Sequence, residues 1–331
     1  MAKQKELKPV LAPEAPAKAL RSEIVKVLRA AFFDPLLASI DVTLSNAAPK
    51  SKLLRQIESG KIQYTGSAFV GKFDSQVSRE LRVLGATFSK LDKTWRVAPQ
   101  KFTTELKKAV DAQRADRERM EKQFRTSLAR VERSAQEMLA GIGFESFAER
   151  AEEEIDKRVR VSLADELAVQ PTLDVEAQKQ IRKAYTDNVR LSIQGFLDDE
   201  VKRFRSKLLP EIQAGIGRDA VTEYVQSRLK VGFSRAKFIA RQETALFTSK
   251  QKQLQYQEVG IDRYRWKAIG GRSGDGRTRD EHRQAHGKIF YWSRDVGPNG
   301  ARKPIDTDGV AKNPGESYGC RCQAIPIIDK I

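Results

Sequence analysis

Two histidines and two cysteines are the whole imidazole and thiol content of the chain, and all four lie beyond Glu281. His282 and His286 stand four apart, a spacing that puts both rings on one face of a helix. Cys320 and Cys322 flank Arg321. Two imidazoles and two thiolates make the closed tetrahedral set that structural zinc prefers, so the sequence predicts a Zn2+ site built from His282, His286, Cys320 and Cys322. His-x3-His is an ordinary zinc spacing, whereas Cys-x-Cys is tighter than the common pattern. Without a metal the same residues would be two solvated histidines and two half-buried thiols. A disulfide across a single residue would be strained, and a cytoplasmic protein would keep it reduced. Two catalytic arrangements draw on the same residues. One is a Cys–His nucleophile and base with Asp275 or Asp280 orienting the ring; the other is His282 with Asp275 in metal-dependent phosphodiester hydrolysis. No oxyanion loop, nucleophile elbow or carboxylate pair accompanies them, so the reading assigns no catalytic residue and no enzyme activity.

The elements that must position these residues are short. Tyr264 to Ile269 and Lys288 to Trp292 read as strands among many Gly, Pro and Asp residues, a loop-rich region with little continuous core that a metal could staple. Gly270 to Gly276 is glycine-rich but lacks the Lys-Ser/Thr ending of a phosphate loop, so it reads as a mobile turn. Arg272, Arg277 and Arg279 within and after it are offset by Asp275, Asp280 and Glu281. Upstream, Asp219 caps a helix through Leu229, and Ser234, after a turn at Gly232, caps a second running to Val259, which Gly260 closes.

Formal charge is +17, an excess that predicts attraction to a polyanion, nucleic acid being the commonest. Charge is uneven along the chain: residues 145–200 sum to −6, with 8 basic and 14 acidic, and residues 201–255 to +8, with 12 basic and 4 acidic. The basic helix pair therefore supplies the DNA-contact candidates Arg228, Lys230, Arg235, Lys237, Arg241, Lys250 and Lys252, against the alternative of a solvated helical face. No apolar run approaches bilayer length, the longest being broken by Asp34 and Pro35, and no signal peptide is evident. The expected setting is a cytoplasm, or a particle assembled there, with no membrane partner.

The expected fold class is α+β in four parts. Residues 1–20, with Pro9, Pro13 and Pro16, read as a flexible tail. Residues 21–100 form an N-terminal module. In it Ser22 to Phe33 is helical, Ser51 caps a helix through Glu58, and residues 61–98 are a small α+β unit. That unit has a helix from Phe73 to Leu84, a hairpin across Leu91-Asp92-Lys93, and a core of Phe69, Phe73, Leu81, Leu84, Phe88, Trp95 and Val97. Residues 101–218 are a helical bundle or arm, with a narrow apolar stripe of Met120, Phe124, Leu128, Val131, Ala135 and Met138 that packs either within this chain or on a partner helix. Gly141 and Gly143 allow a bend, and Pro171 and Pro210 punctuate later helices. Residues 219–331 are the compact C-terminal α+β domain.

Within that last part the motifs resemble a known family. Trp266, the run Asp275-Gly276-Arg277-Thr278-Arg279, His282, Gly287-Lys288-Ile289-Phe290, Pro314-Gly315-Glu316 and Cys320-Arg321-Cys322 resemble the C-terminal signature of the phage Mu F-like head-morphogenesis family. Ile239-Ala240-Arg241-Gln242-Glu243-Thr244 resembles the helix preceding it. The motif positions are thus Arg241, Glu243, Trp266, Asp275, Arg277, Arg279, His282, Gly287, Cys320 and Cys322. Members often carry Thr where Gln242 stands and Asn where Gly319 stands. The match covers about the last third of the chain, and Gly60 to Pro99 is similar to a module found ahead of that domain in some phage members. The resemblance implies a minor capsid protein inside the virion head, bound to the portal protein, with major capsid or scaffolding protein as a further candidate partner. It would serve head assembly and DNA packaging or ejection, with nonspecific double-stranded DNA as a further partner. Relatives of the domain also occur fused to toxin domains; nothing follows Ile331, so no added effector is expected. The alternatives are a metal-dependent nuclease or transferase in the C-terminal domain, or a nonspecific DNA-binding accessory protein.

Overall fold

Long amphipathic stretches fold into helices, and short alternating ones into two separate antiparallel sheets, in a computed structural model of the chain. It describes residues 5–45, 52–58, 60–65, 67–97, 99–164, 167, 169–171, 174–213, 218–292 and 313–328. In chain order the elements are β1 (Lys5–Glu6), α1 (Glu14–Val27), a π-helical turn (Leu28–Phe33), α2 (Asp34–Ser45), α3 (Lys52–Glu58), β2 (Ile62–Tyr64), β3 (Ala68–Gly71) and α4 (Ser75–Val83). Next come β4 (Thr87–Ser89), β5 (Thr94–Arg96), α5 (Pro99–Ala140), α6 (Glu145–Ala164) and α7 (Val175–Arg203). A second π-turn (Phe204–Leu208) leads to α8 (Leu209–Gln213), α9 (Arg218–Glu258), β6 (Arg263–Lys267), α10 (Asp280–Gln284), β7 (Ile289–Tyr291) and β8 (Gln323–Ile328). The α+β class read from the sequence is the class observed. The chain divides into two units, one of residues 1–31, 134–198 and 229–331, the other of residues 32–133 and 199–228.

The first unit carries a sheet of order β1-β8-β6-β7, every pairing antiparallel. Its centre is aromatic: Trp266, Trp292, Tyr256, Tyr264 and Phe290 are all essentially sealed from solvent. The Tyr264 ring lies 4.5 Å from Trp292 and 5.9 Å from Phe290, and Trp266 lies 5.6 Å from Phe290. The expectation of little continuous core is therefore corrected. The rings are scattered in sequence, and Tyr256 of α9 stacks on Trp292 with centroids 6.1 Å apart, while Ala236, Ile239, Ala240 and Phe247 of the same helix are also buried. Also corrected is the helix pair. α9 runs unbroken through Gly232 and Ser234, whose hydroxyl donates back to the Lys230 carbonyl rather than capping a new helix. An interior glycine costs about 1 kcal/mol, less than burying even one or two of the large apolar side chains on this helix returns.

Residues 5–13 are not a loose tail. β1 pairs with β8 in the register Lys5↔Ile328 and Glu6↔Ile327, and Leu7 and Val10 are buried. The carbonyls that follow have no ladder partner and are taken up by side chains: Lys8 by Ser162 Oγ at 3.1 Å, Val10 by Lys252 Nζ at 2.9 Å and Leu11 by Arg158 Nη1 at 3.2 Å. Pro9 and Pro13, read as marks of flexibility, instead pre-set an extended path that lacks N–H donors to satisfy.

The second unit contains the sheet β2-β3-β5-β4 with α3 and α4 against it, the small α+β unit expected between residues 61 and 98. Its core is Leu53, Ile62, Phe69, Val77, Leu81, Ala86, Trp95 and Val97, with Phe73 and Leu84 partly buried against it. Phe88, placed in the core by sequence, is 46% exposed on the edge strand β4, beside its cross-strand partner Trp95. α4 starts where Asp74 accepts from the Gln76 and Val77 N–H groups, both at 3.0 Å. For α3, the expected cap Ser51 lies outside the described residues; the N-terminal amides of Lys52 and Leu53 donate to the Glu80 carboxylate at 3.0 and 2.8 Å. On α5, Phe124, Leu128 and Val131 are buried, as is Ala135 in the first unit, so the stripe packs within this chain. Met138 alone is largely exposed. Gly215 and Gly217 lie outside the described residues.

Candidate functional site

Cys320 and Cys322 immediately precede β8, where extended backbone turns residues i and i+2 to the same face. That is the physical reason for the tight Cys-x-Cys spacing: both thiols point inward, while Arg321 between them points out to the Asp275 carboxylate. His282 comes from α10, and its ring meets the thiols with Nδ1 at 3.5 Å from Cys320 Sγ and 3.6 Å from Cys322 Sγ. All three residues are buried, and their ligand atoms lie within 4.8 Å of one another. Trp266 packs edge-on against the imidazole at 5.1 Å.

His286 does not join them. α10 ends at Gln284, and Gly287, at φ +82, turns the chain away before a second helical turn forms. The i, i+4 face assumed for the two histidines therefore does not exist, and His286 Nδ1 accepts the Ala268 N–H at 3.1 Å. Of the four predicted residues, the fold therefore brings three together, His282, Cys320 and Cys322, as a candidate ligand set among the described residues.

These three fit a zinc-class ion. Bond lengths of about 2.3 Å to sulfur and about 2.0 Å to nitrogen, opened to a tetrahedral angle, put N and S about 3.5 Å apart. The two observed N···S distances have that value, although S–H···N hydrogen bonds have it too. The buried indole N–H of Trp266 has no hydrogen-bond acceptor and lies on the Cys322 side, where it suits a thiolate sulfur. The pair shares its protons unequally. The Cys320 thiol is pulled well below the usual thiol range by the hydrogen bond from Cys322, then by His282 and by the Gly315 N–H at 3.4 Å, against the effect of burial. The same bond to Cys320, with burial, pushes Cys322 up. Neither acid offered as a catalytic partner orients the ring. Asp275 accepts from Thr278, Arg277 N–H and Arg321, which hold it down to about 2 with Arg321 the largest cause, and Asp280 accepts from Arg283.

The remaining motif positions form the frame. Glu243 is buried against Ser192, whose hydroxyl donates at 3.2 Å, and burial raises its carboxyl. Gly287 N–H donates to the Trp266 carbonyl at 2.8 Å, and Arg279 donates to the Tyr318 carbonyl at 2.6 Å. Arg277 is exposed. The two positions at which the motif departs from its relatives touch each other: Gly319 N–H donates to Gln242 Oε1 at 2.6 Å. Gly319 has φ +72, left-handed backbone that glycine and asparagine both tolerate.

Beside the thiols is a cavity of about 180 Å3, lined by Val10, Arg241, Lys252, Arg321 and both cysteines among others, and by no acidic residue. Sequence reasoning missed it because Val10 and Lys252 are over 240 residues apart and only the fold brings them together.

Of the seven basic candidates for DNA contact, three are committed elsewhere. Arg228 is ion-paired with the buried Glu200, Lys250 pairs with Glu316 at 2.6 Å, and Lys252 is buried under Val10. Lys230, Lys237 and Arg241 are exposed. Arg235 lies over the paired rings of Phe238 and Tyr318, whose centroids are 4.6 Å apart, and donates to the Tyr318 hydroxyl. The aromatic partners of this arginine were not recognised from sequence; Phe238 at i+3 from Arg235 was the available signal.

Residues 202–325 match the profile of the family described as Phage Mu protein F like protein. The matched span starts well upstream of the motif helix at Ile239 and ends within β8. A protein of Haemophilus influenzae, described as "Uncharacterized protein", is 28% identical over 182 residues, 53% of this chain. The chain spans 37% of that relative's length. No solved structure matches the chain. Among the described residues no helix is long and apolar enough to cross a membrane.

Proposed function

We propose that this protein is a structural component of a phage head, a minor capsid protein that works in head assembly from inside the particle and attaches to the portal. The observation that supports this reading is the Mu F-like region at residues 202–325, whose scattered motif residues converge on one buried centre. Residues Trp266, His282, Cys320 and Cys322 meet around a single point, while Asp275–Arg321 and Arg279–Tyr318 tie the surrounding loops together. In this reading the centre holds one zinc-class ion whose task is to fix the Cys-x-Cys segment and α10 against the sheet. The exposed cations of α9, Lys230, Lys237 and Arg241, with the half-buried Arg235 beside them, would contact packaged double-stranded DNA through phosphate, without sequence preference.

The deciding experiment is co-expression of the full chain with the portal protein of the same genome, followed by mass-spectrometric quantification of the chain in purified particles. A stable complex and a fixed low copy number per particle are expected. Particles that assemble and deliver DNA without any trace of the chain would overturn the role. A chelator-sensitive phosphodiesterase activity of the pure protein would favour the enzyme alternative instead.

A further inference from the structure

The three-ligand centre and the cation-lined cavity adjoin, and together they carry more than either does alone. Structural zinc sites are closed by four protein ligands, whereas a site with three keeps a position for an exogenous ligand. Here His286 is drawn away to Ala268, and no other His, Cys, Asp or Glu among the described residues joins the set. Both cysteines line the cavity, which therefore adjoins the thiol–imidazole cluster.

The cavity's own chemistry says what enters it. Lys252 is sealed from solvent, and its polar partner is one neutral carbonyl, Val10 O. Among the described residues it forms no ion pair, and no acid lines the cavity. A buried ammonium without a counter-charge is strongly disfavoured. Arg241 at the same wall is exposed and adds a second cation. Two thiolates already neutralise a divalent ion, so an anion in the fourth position would leave one negative charge, which Lys252 is placed to balance. The volume is well below that of a drug-sized pocket and suits a ligand of a few heavy atoms.

We propose that His282, Cys320 and Cys322 hold a zinc-class ion by three protein ligands, and that its fourth position opens into the Lys252 cavity as an exchangeable site for a small anion. This rests on the metal reading above. It makes the centre a ligand-accepting one rather than a closed staple, with Lys252 and Arg241 as the residues that select for negative charge.

The test uses the full chain, stripped of metal under reducing conditions and reloaded with Co2+, with azide and inorganic phosphate as probes. One cobalt per chain is expected, with a sulfur-to-cobalt charge-transfer band and intense tetrahedral ligand-field bands. Azide should shift the ligand-field bands saturably, and phosphate should compete. Lys252→Met should weaken azide binding at least about tenfold, as expected for removing one desolvated charge beside an anion. The exposed-site variant Arg241→Gln should weaken it less, with cobalt content and the charge-transfer band unchanged in both. Cobalt spectra with thiolate bands that ignore azide would overturn the open position while leaving the metal site intact. Azide shifts that are the same in wild type and both variants would overturn the role of the cavity. Failure to take up cobalt would overturn the metal reading and this proposal with it.

Discussion

Replacing Lys252 by methionine should make the metal-free protein more stable at neutral pH. The ammonium is fully buried, has one hydrogen bond, to Val10 O at 2.9 Å, and burial lowers its pKa from 10.5 to about 8. At about 1.4 kcal/mol for each tenfold change in proton affinity, the charged side chain costs the fold about 3 kcal/mol. The sign follows from which state holds the proton more tightly. The unfolded chain does, so the penalty is present in full below pH 8 and fades as pH rises towards 10.5. Methionine keeps most of the volume and removes the charge, but leaves the Val10 carbonyl without its donor, a loss of about 1 kcal/mol. The expected net gain is about 2 kcal/mol at pH 7, turning into a loss of about 1 kcal/mol near pH 10.5. Urea unfolding of wild type and Lys252→Met, with chelator and little added anion, at neutral and alkaline pH measures the difference; other titrating groups are common to both proteins. A variant destabilised equally at both pH values would refute the reasoning, because it would mean that the folded protein already supplies Lys252 with a counter-charge.

Three further outcomes are expected. His282→Ala should lower bound zinc from about one per chain to near zero, whereas His286→Ala should leave it unchanged; loss of zinc in both variants would restore the four-ligand site, and inductively coupled plasma mass spectrometry decides. Gly270→Ala should destabilise the first unit by about 1–3 kcal/mol, because a Cβ there would meet the Gly274 carbonyl oxygen at 2.3 Å and φ is +74; thermal unfolding reads it. Charge reversal of Lys230, Lys237 and Arg241 together should lower affinity for duplex DNA and flatten its salt dependence by roughly three counterions, whereas reversal of Lys250, already paired with Glu316, should leave the slope unchanged.

The β4–β5 hairpin was legible because a three-residue turn between short strands is a local signal, whereas β3, inside the sheet, was not read; the helical stripe of α5 was legible from its period of 3.6. What failed was non-local. Phe88 alternates like a core residue and shares a sheet face with its cross-strand partner Trp95, but β4 is the edge strand, where the core runs out. Gly232 reads as a helix end, and burial along α9 overrides it. The chain's first residues read as unstructured because nothing in Lys5 to Pro13 announces a partner more than 300 residues away. At the centre, residue type and clustering named four residues, and the fold brings three of them together. The fourth depended on α10 continuing one more turn, which Gly287 prevents, and a positive φ at that glycine is visible only in the fold.

The pairing of β1 with β8 also sets an order of events. Lys5 finds Ile328 only after almost the whole chain has been made. At about 5–20 residues per second, the roughly 320 intervening residues take roughly 15–65 s to synthesise. For that time Leu7 and Val10 have no core to enter, and the Lys252 ammonium has no Val10 carbonyl to meet. The aromatic centre around β6 and β7 can assemble first from residues close in sequence, with the final strand and then the first one added to its edge. Lys5, Lys8, Pro9 and Pro13 suit that wait, since charge and missing N–H donors discourage a waiting strand from pairing with the wrong chain. Lys5 to Pro13 thus wait long for their place, and their docking closes the wall of the cavity beside the thiols.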